Sequence, residues 1–121
     1  MLDEKRMKRN LIWLQAERER VQRELRQLQS AVAEGERPGY STHMADDASA
    51  VFEQARDLAL TQRLRYTLAQ VERALDKMQN GTYAVCDRCG QEIDPARLKA
   101  LPHATLCKPC QERAELGPHS H

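Results

Sequence analysis

Four cysteines in two close pairs constrain this 121-residue chain more than any other feature: Cys86-Asp-Arg-Cys89 and Cys107-Lys-Pro-Cys110, with 17 residues between the pairs. Each C-x-x-C sets two thiolates on one tight turn, about 2.3 Å from a common tetrahedral ion, and the intervening segment brings in the second pair. That spacing is the pattern of a four-thiolate zinc site. Two structural disulfides would need an oxidising compartment, whereas the N-terminal MLDEKRMKRN is charged and lacks the apolar stretch of a secretory signal. The expected location is therefore cytoplasmic, with the thiols reduced. A thioredoxin-like redox pair would open a helix within a βαβ pattern, which is absent here. An iron–sulfur cluster is the less common use of this arrangement. The expectation is one structural Zn2+ held by Cys86, Cys89, Cys107 and Cys110. A closed four-thiolate site leaves no open position for water or substrate, so no enzyme activity is expected of it. His103 is an alternative ligand that four available thiols make unnecessary. Arg88, Arg97, Lys99 and Lys108 would offset the thiolate charge. Gly90 suits the positive φ of a knuckle turn, and Asp94-Pro95 reads as the N-cap and first position of a short helix to Lys99.

Upstream of the cysteines the pattern is helical. Met7, Leu11, Leu14, Arg18, Val21, Leu25, Leu28 and Val32 recur at alternating spacings of four and three. Only Arg18 interrupts the apolar series, so this is a coiled-coil face. The helix stops near Glu34, where Gly35-Glu-Arg-Pro-Gly39 breaks it. A second helix starts between Met44 and Asp47 and runs to Asn80, with Gly81 as a left-handed cap. Its later half carries Leu64, Leu68, Val71, Leu75 and Met78; its earlier half offers Ala48, Phe52, Ala55 and Ala59. The extra four-residue step from Leu60 to Leu64 reads as a stutter. Two helices of about 30 residues, each roughly 45 Å long, predict a long antiparallel coiled-coil hairpin. The chain is therefore expected to be mainly α. Residues 1–80 form the hairpin with its tip at about 34–47, residues 81–116 a C4 finger with a short C-terminal helix, and residues 117–121 a flexible tail. The five aromatic residues among 121 suit a narrow helical seam better than a globular core. No apolar run reaches the roughly 20 residues of a membrane span. The balance of 19 Lys and Arg against 18 Asp and Glu is not that of a general nucleic-acid coat.

His43-Met-Ala-Asp46-Asp47-Ala48 enters the second helix at the tip. Asp46 or Asp47 there favours a helix start through the unpaired N–H groups and the dipole. The same carboxylates sit at the end of a long arm that can reach a partner. The two roles are compatible.

The segment Gly81-Thr-Tyr-Ala-Val-Cys86-Asp-Arg-Cys89-Gly-Gln-Glu-Ile-Asp-Pro-Ala-Arg97-Leu, with Leu101-Pro-His-Ala-Thr-Leu-Cys107-Lys-Pro-Cys110, resembles the finger of the DksA/TraR family. Asp46-Asp-Ala48 followed by Phe52-Glu-Gln-Ala-Arg-Asp-Leu-Ala-Leu60 is also similar to that family. The resemblance covers about residues 40 to 115, and the first helix matches by pattern only. It implies a transcription regulator that binds RNA polymerase without sequence-specific DNA binding and without a membrane. Its coiled-coil tip would enter the polymerase secondary channel and modulate initiation. The family's tip motif is Asp-x-x-Asp-x-Ala. Its second Asp falls on Asp46 and its Ala on Ala48, which makes these the leading tip contacts. Its first Asp falls on His43, which cannot supply the same fixed negative charge; His43 and Asp47 rank second. Family members that respond to a guanosine tetraphosphate alarmone use basic residues at positions matching Gln70, Leu101 and Gln111. None of these is basic, so alarmone binding is not predicted. Two other readings remain: a nucleic-acid-binding zinc module using Arg6, Lys8, Arg9, Arg18, Arg20, Arg23 and Arg26 as a basic helical face, and a coiled-coil adaptor with no polymerase role.

Overall fold

The heptad series becomes α1, Glu4–Glu34, and the second periodic stretch becomes α2, Asp47–Asn80. Two short helices follow, α3 (Pro95–Ala100) and α4 (Lys108–Leu116). The structure is a computed structural model and describes residues 2–34 and 47–116. The expected tail, 117–121, lies outside the described residues. Among the described residues the only β pairing is an isolated antiparallel bridge between Val85 and Glu92. The chain is mainly α, an antiparallel coiled-coil hairpin with a small four-cysteine region at its C-terminal end. No described helix is long and apolar enough to cross a membrane. Packing divides the chain into two compact units, Met1–Glu17 with Gln70–His121, and Arg18–Ala69.

In the second of these units, Val21, Leu25 and Leu28 of α1 are buried with Leu64 of α2, and Leu68 packs against them. These are seam positions that the 3.5-residue repeat selects. The first half of α2 departs from the expected face. Phe52 is 76% exposed and Ala55 and Ala59 are exposed, whereas Ala50 is 8% and Asp57 4% exposed. Ala50, Asp57 and Leu64 are seven apart, so one uninterrupted heptad runs through this stretch of α2. Leu60, the residue that suggested a stutter, is exposed. Apolarity misled here because α2 places an aspartate on its seam and a phenylalanine outside it.

In the other unit, Leu14 of α1 and Val71 and Ala74 of α2 share a core with Tyr83, Ala84, Ile93, Leu98 and Ala104. Cys86 and Cys110 belong to the same core. Asn10 is buried there. Its Nδ2 donates to the Tyr83 hydroxyl (3.1 Å) and to the Leu98 carbonyl (3.3 Å). The Tyr83 hydroxyl in turn donates to the Pro102 carbonyl at 2.6 Å. Burial raises the Tyr83 pKa above the usual phenol value, partly offset by the Asn10 bond. A buried polar pair with its bonds made fixes α1 against the finger without the cost of an orphaned group.

Candidate metal centre

The first cysteine pair sits on a knuckle. The Gly90 amide donates to the Cys86 carbonyl at 3.0 Å, and the Arg88 amide donates to Cys86 Sγ at 3.4 Å. The turn closes through a left-handed Gly90, φ +76°, as its glycine predicts. The bridge beside it joins Cys86 N–H to the Gln91 carbonyl (2.8 Å) and Ile93 N–H to the Ala84 carbonyl (2.7 Å). The second pair sits at the head of α4, with Cys107 just before its first residue and Cys110 inside it. The Gln111 amide closes that turn on the Cys107 carbonyl at 2.9 Å. Between the pairs α3 starts as predicted. The Asp94 side chain accepts from the Ala96 amide, and Pro95 fills the first turn. The Arg97 guanidinium donates to the Leu106 carbonyl at 3.1 Å, tying α3 to the approach of the second pair.

The four Sγ atoms lie within 4.8 Å of one another. Cys89 and Cys107 are 3.7 Å apart. Four thiolates at about 2.3 Å from one tetrahedral zinc stand about 3.8 Å apart, so the donor set and its spacing fit that ion. Crowded thiols pull their pKa values apart. Burial pushes Cys86 up, but amide donors from Cys107, Cys89 and Arg88 and the Cys89 thiol outweigh it, bringing it to about 6. Cys110 is pushed up to about 12, first by its bond with Cys107 and then by burial. A divalent cation at the centre would invert this logic and hold all four as thiolates. His103, the alternative ligand, stands outside the cluster. It stacks on Trp13 with ring centroids 5.9 Å apart and planes 17° apart.

One anchor escaped sequence reasoning. Asp87, inside the first knuckle, receives Arg73 through two bonds of 3.0 Å and pairs with Lys77 at 3.0 Å. Hydrogen bonding to Arg73, then to Lys77, holds the Asp87 carboxyl below the usual range. Lys77 is 1% exposed and also donates to the Val85 carbonyl. Three groups on α2 and the knuckle thus fix the first cysteine pair to the helix that precedes it. The only signal in the sequence was the i, i+4 spacing of Arg73 and Lys77.

His43 and Asp46 lie outside the described residues, and Asp47 and Ala48 are the first two residues of α2.

Together these features define a C4 zinc-finger protein in which the finger packs against a helical hairpin. Residues 81–116 match the prokaryotic dksA/traR C4-type zinc finger. The chain is 40% identical over 77 residues to general stress protein 16O of Bacillus subtilis, covering 64% of this chain and 47% of that one. It is 35% identical over 78 residues to the RNA polymerase-binding transcription factor DksA of Caulobacter vibrioides, covering 64% and 55%. The solved structure of transcription factor DksA2 from Pseudomonas aeruginosa superposes with a TM-score of 0.73 at 29% identity, over 94% of this chain and 86% of that one. The chain carries the DksA/TraR C4-type zinc finger over residues 81–116, with one zinc ion as its cofactor. It spans about half the length of these two curated relatives.

Proposed function

We propose that this chain is a cytoplasmic, non-enzymatic transcription regulator that docks on RNA polymerase. Its coiled-coil tip enters the secondary channel and modulates initiation. The observation that carries the reading is the junction of a four-thiol centre with a helical hairpin, in a chain some of whose relatives are named RNA polymerase-binding transcription factors. Cys86, Cys89, Cys107 and Cys110 are the ligands of one structural zinc, and the ion's task is to hold the finger against the hairpin. A saturated tetrahedral site offers no position for substrate. Asp46 and Ala48 make the principal tip contacts, with His43 and Asp47 beside them. Asp46 supplies the fixed negative charge, because His43 is a hydrogen-bonding group where the family carries a first aspartate.

The test is in vitro transcription with purified polymerase and zinc-loaded protein, with a pull-down run alongside. Asp46→Asn is expected to retain polymerase binding and lose the effect on initiation. An effect unchanged by Asp46→Asn, or binding to DNA alone with a steep salt dependence, overturns the reading.

A further inference from the structure

Two hollows open on the unit that carries the finger, where α1 meets α3. One, of about 170 Å³, is lined by Arg9, Asn10, Trp13, Lys99 and Pro102 among others. The other, of about 210 Å³, shares Arg9, Asn10 and Lys99 and adds Arg6. The shared residues therefore stand where the hollows meet. Among the described residues, neither the Arg9 nor the Lys99 side chain makes an ion pair or hydrogen bond. Arg6 is already engaged by Asp3 (3.9 Å). Asn10 spends both N–H groups of its amide on Tyr83 and Leu98, so it builds the floor and leaves the cations as the open donors. Trp13 has one face on His103 and is 39% exposed.

We propose that this junction binds the phosphate of a small aromatic phosphate of the nucleoside monophosphate class. Two like charges share one concave surface with no carboxylate between them, and an anion there relieves their repulsion while the walls concentrate the potential. An arginine fork and a lysine ammonium are the two side chains best matched to phosphate oxygens. The exposed part of the indole gives a base a π-face beside the phosphate. Each hollow is smaller than the roughly 300 Å³ of an ordinary ligand pocket, which favours a compact ligand. These residues differ from Gln70, Leu101 and Gln111, and the proposal does not depend on polymerase docking.

Trp13 is the chain's only tryptophan, so its fluorescence reports the site directly. Zinc-loaded full-length protein is titrated with AMP, inorganic phosphate and a decathymidine strand, with calorimetry as a second readout. AMP is expected to change Trp13 emission saturably, with half-saturation below about 1 mM. Phosphate alone binds more weakly. Arg9→Gln and Lys99→Gln each weaken AMP about tenfold, while Arg113→Gln on α4 leaves it unchanged. By calorimetry, Trp13→Phe weakens AMP but not phosphate. Far-UV circular dichroism checks that the variants fold, and amide shifts of Ala96 and Lys99 in the unaltered protein give a result independent of any variant. The absence of saturable binding, equal AMP affinity in Arg9→Gln and Lys99→Gln, equal weakening by Arg113→Gln, or tighter binding of decathymidine than AMP would each overturn the proposal.

Discussion

A methyl group at Gly90 would meet nothing within 4 Å, yet the backbone there has φ +76°. Any cost of adding it is conformational. Gly90→Ala in the zinc-loaded protein is expected to lower unfolding stability by about 1 kcal/mol, read by chemical denaturation. The glycine made this turn legible in the sequence. Ala84, with φ +80°, takes the same left-handed conformation and gives no such sign. The place of His103 has no sign in the sequence either: four thiols make it unnecessary as a ligand, and Trp13, on which it stacks, lies far off in the chain. The His103 Nδ1 is buried without a hydrogen-bond partner among the described residues. Burial lowers its pKa, with Arg97 acting in the same direction and Glu17 against it. The folded state therefore binds the His103 proton less readily than the unfolded chain does. As pH falls below the unfolded value of about 6.5, the unfolded state gains a proton first and stability is lost. His103→Phe keeps a ring against Trp13 and removes this linkage. The stability gap in favour of the variant should widen between pH 7.5 and 5.5, measured by thermal melting with zinc in excess. A constant gap would contradict the buried neutral imidazole.

The helices were readable as elements because their periodicity and punctuation agree. α1 ends at Glu34 before the Gly-Pro-Gly segment, α2 ends at Asn80 before Gly81, and α3 follows the Asp94-Pro95 signal. The register of α2's first half was not readable, because hydrophobic residues mark a face only when they are the residues buried. Asp57 is on the seam and Phe52 is off it. Conversely, Asn10 and Lys77 are polar residues that tertiary partners keep inside, and those partners lie far off in sequence or in the finger. The register makes a testable contrast. Leu64→Ala should cost about 2–5 kcal/mol, as large-to-small changes in packed seams do, and Phe52→Ala should stay within about 0.5 kcal/mol. Denaturant midpoints of the two variants check this, and the reverse ranking would restore the Phe52 face.

At the scale of the molecule, the four-thiol site is part of the core as well as its neighbour. Cys86 and Cys110 are buried with Tyr83, Ile93, Leu98, Leu14 and Val71 in one cluster. Val21, Leu25, Leu28 and Leu64 form another cluster that holds no cysteine. Formal charge moves with the ion: the chain is +1 with neutral thiols, and four thiolates with one Zn2+ bring it to −1. Without the cation, four sulfurs within 4.8 Å cannot all ionise, and at least one must stay protonated inside the core. Loss of the metal thus weakens the first cluster twice, through the missing bonds and through the pairing that remains among the thiols. Lowering the pH acts in the same direction, because protons compete with zinc for thiolate. Chelation at neutral pH should therefore strip hydrogen-exchange protection from the amides of Cys86, Ile93, Leu98 and Gln111, while those of Val21, Leu25 and Leu28 keep theirs. Zinc should restore the lost protection at one equivalent per chain. Uniform loss along the whole chain would mean that the seam of the hairpin cannot stand without the finger. Uniform retention would mean that the ion contributes nothing to the fold.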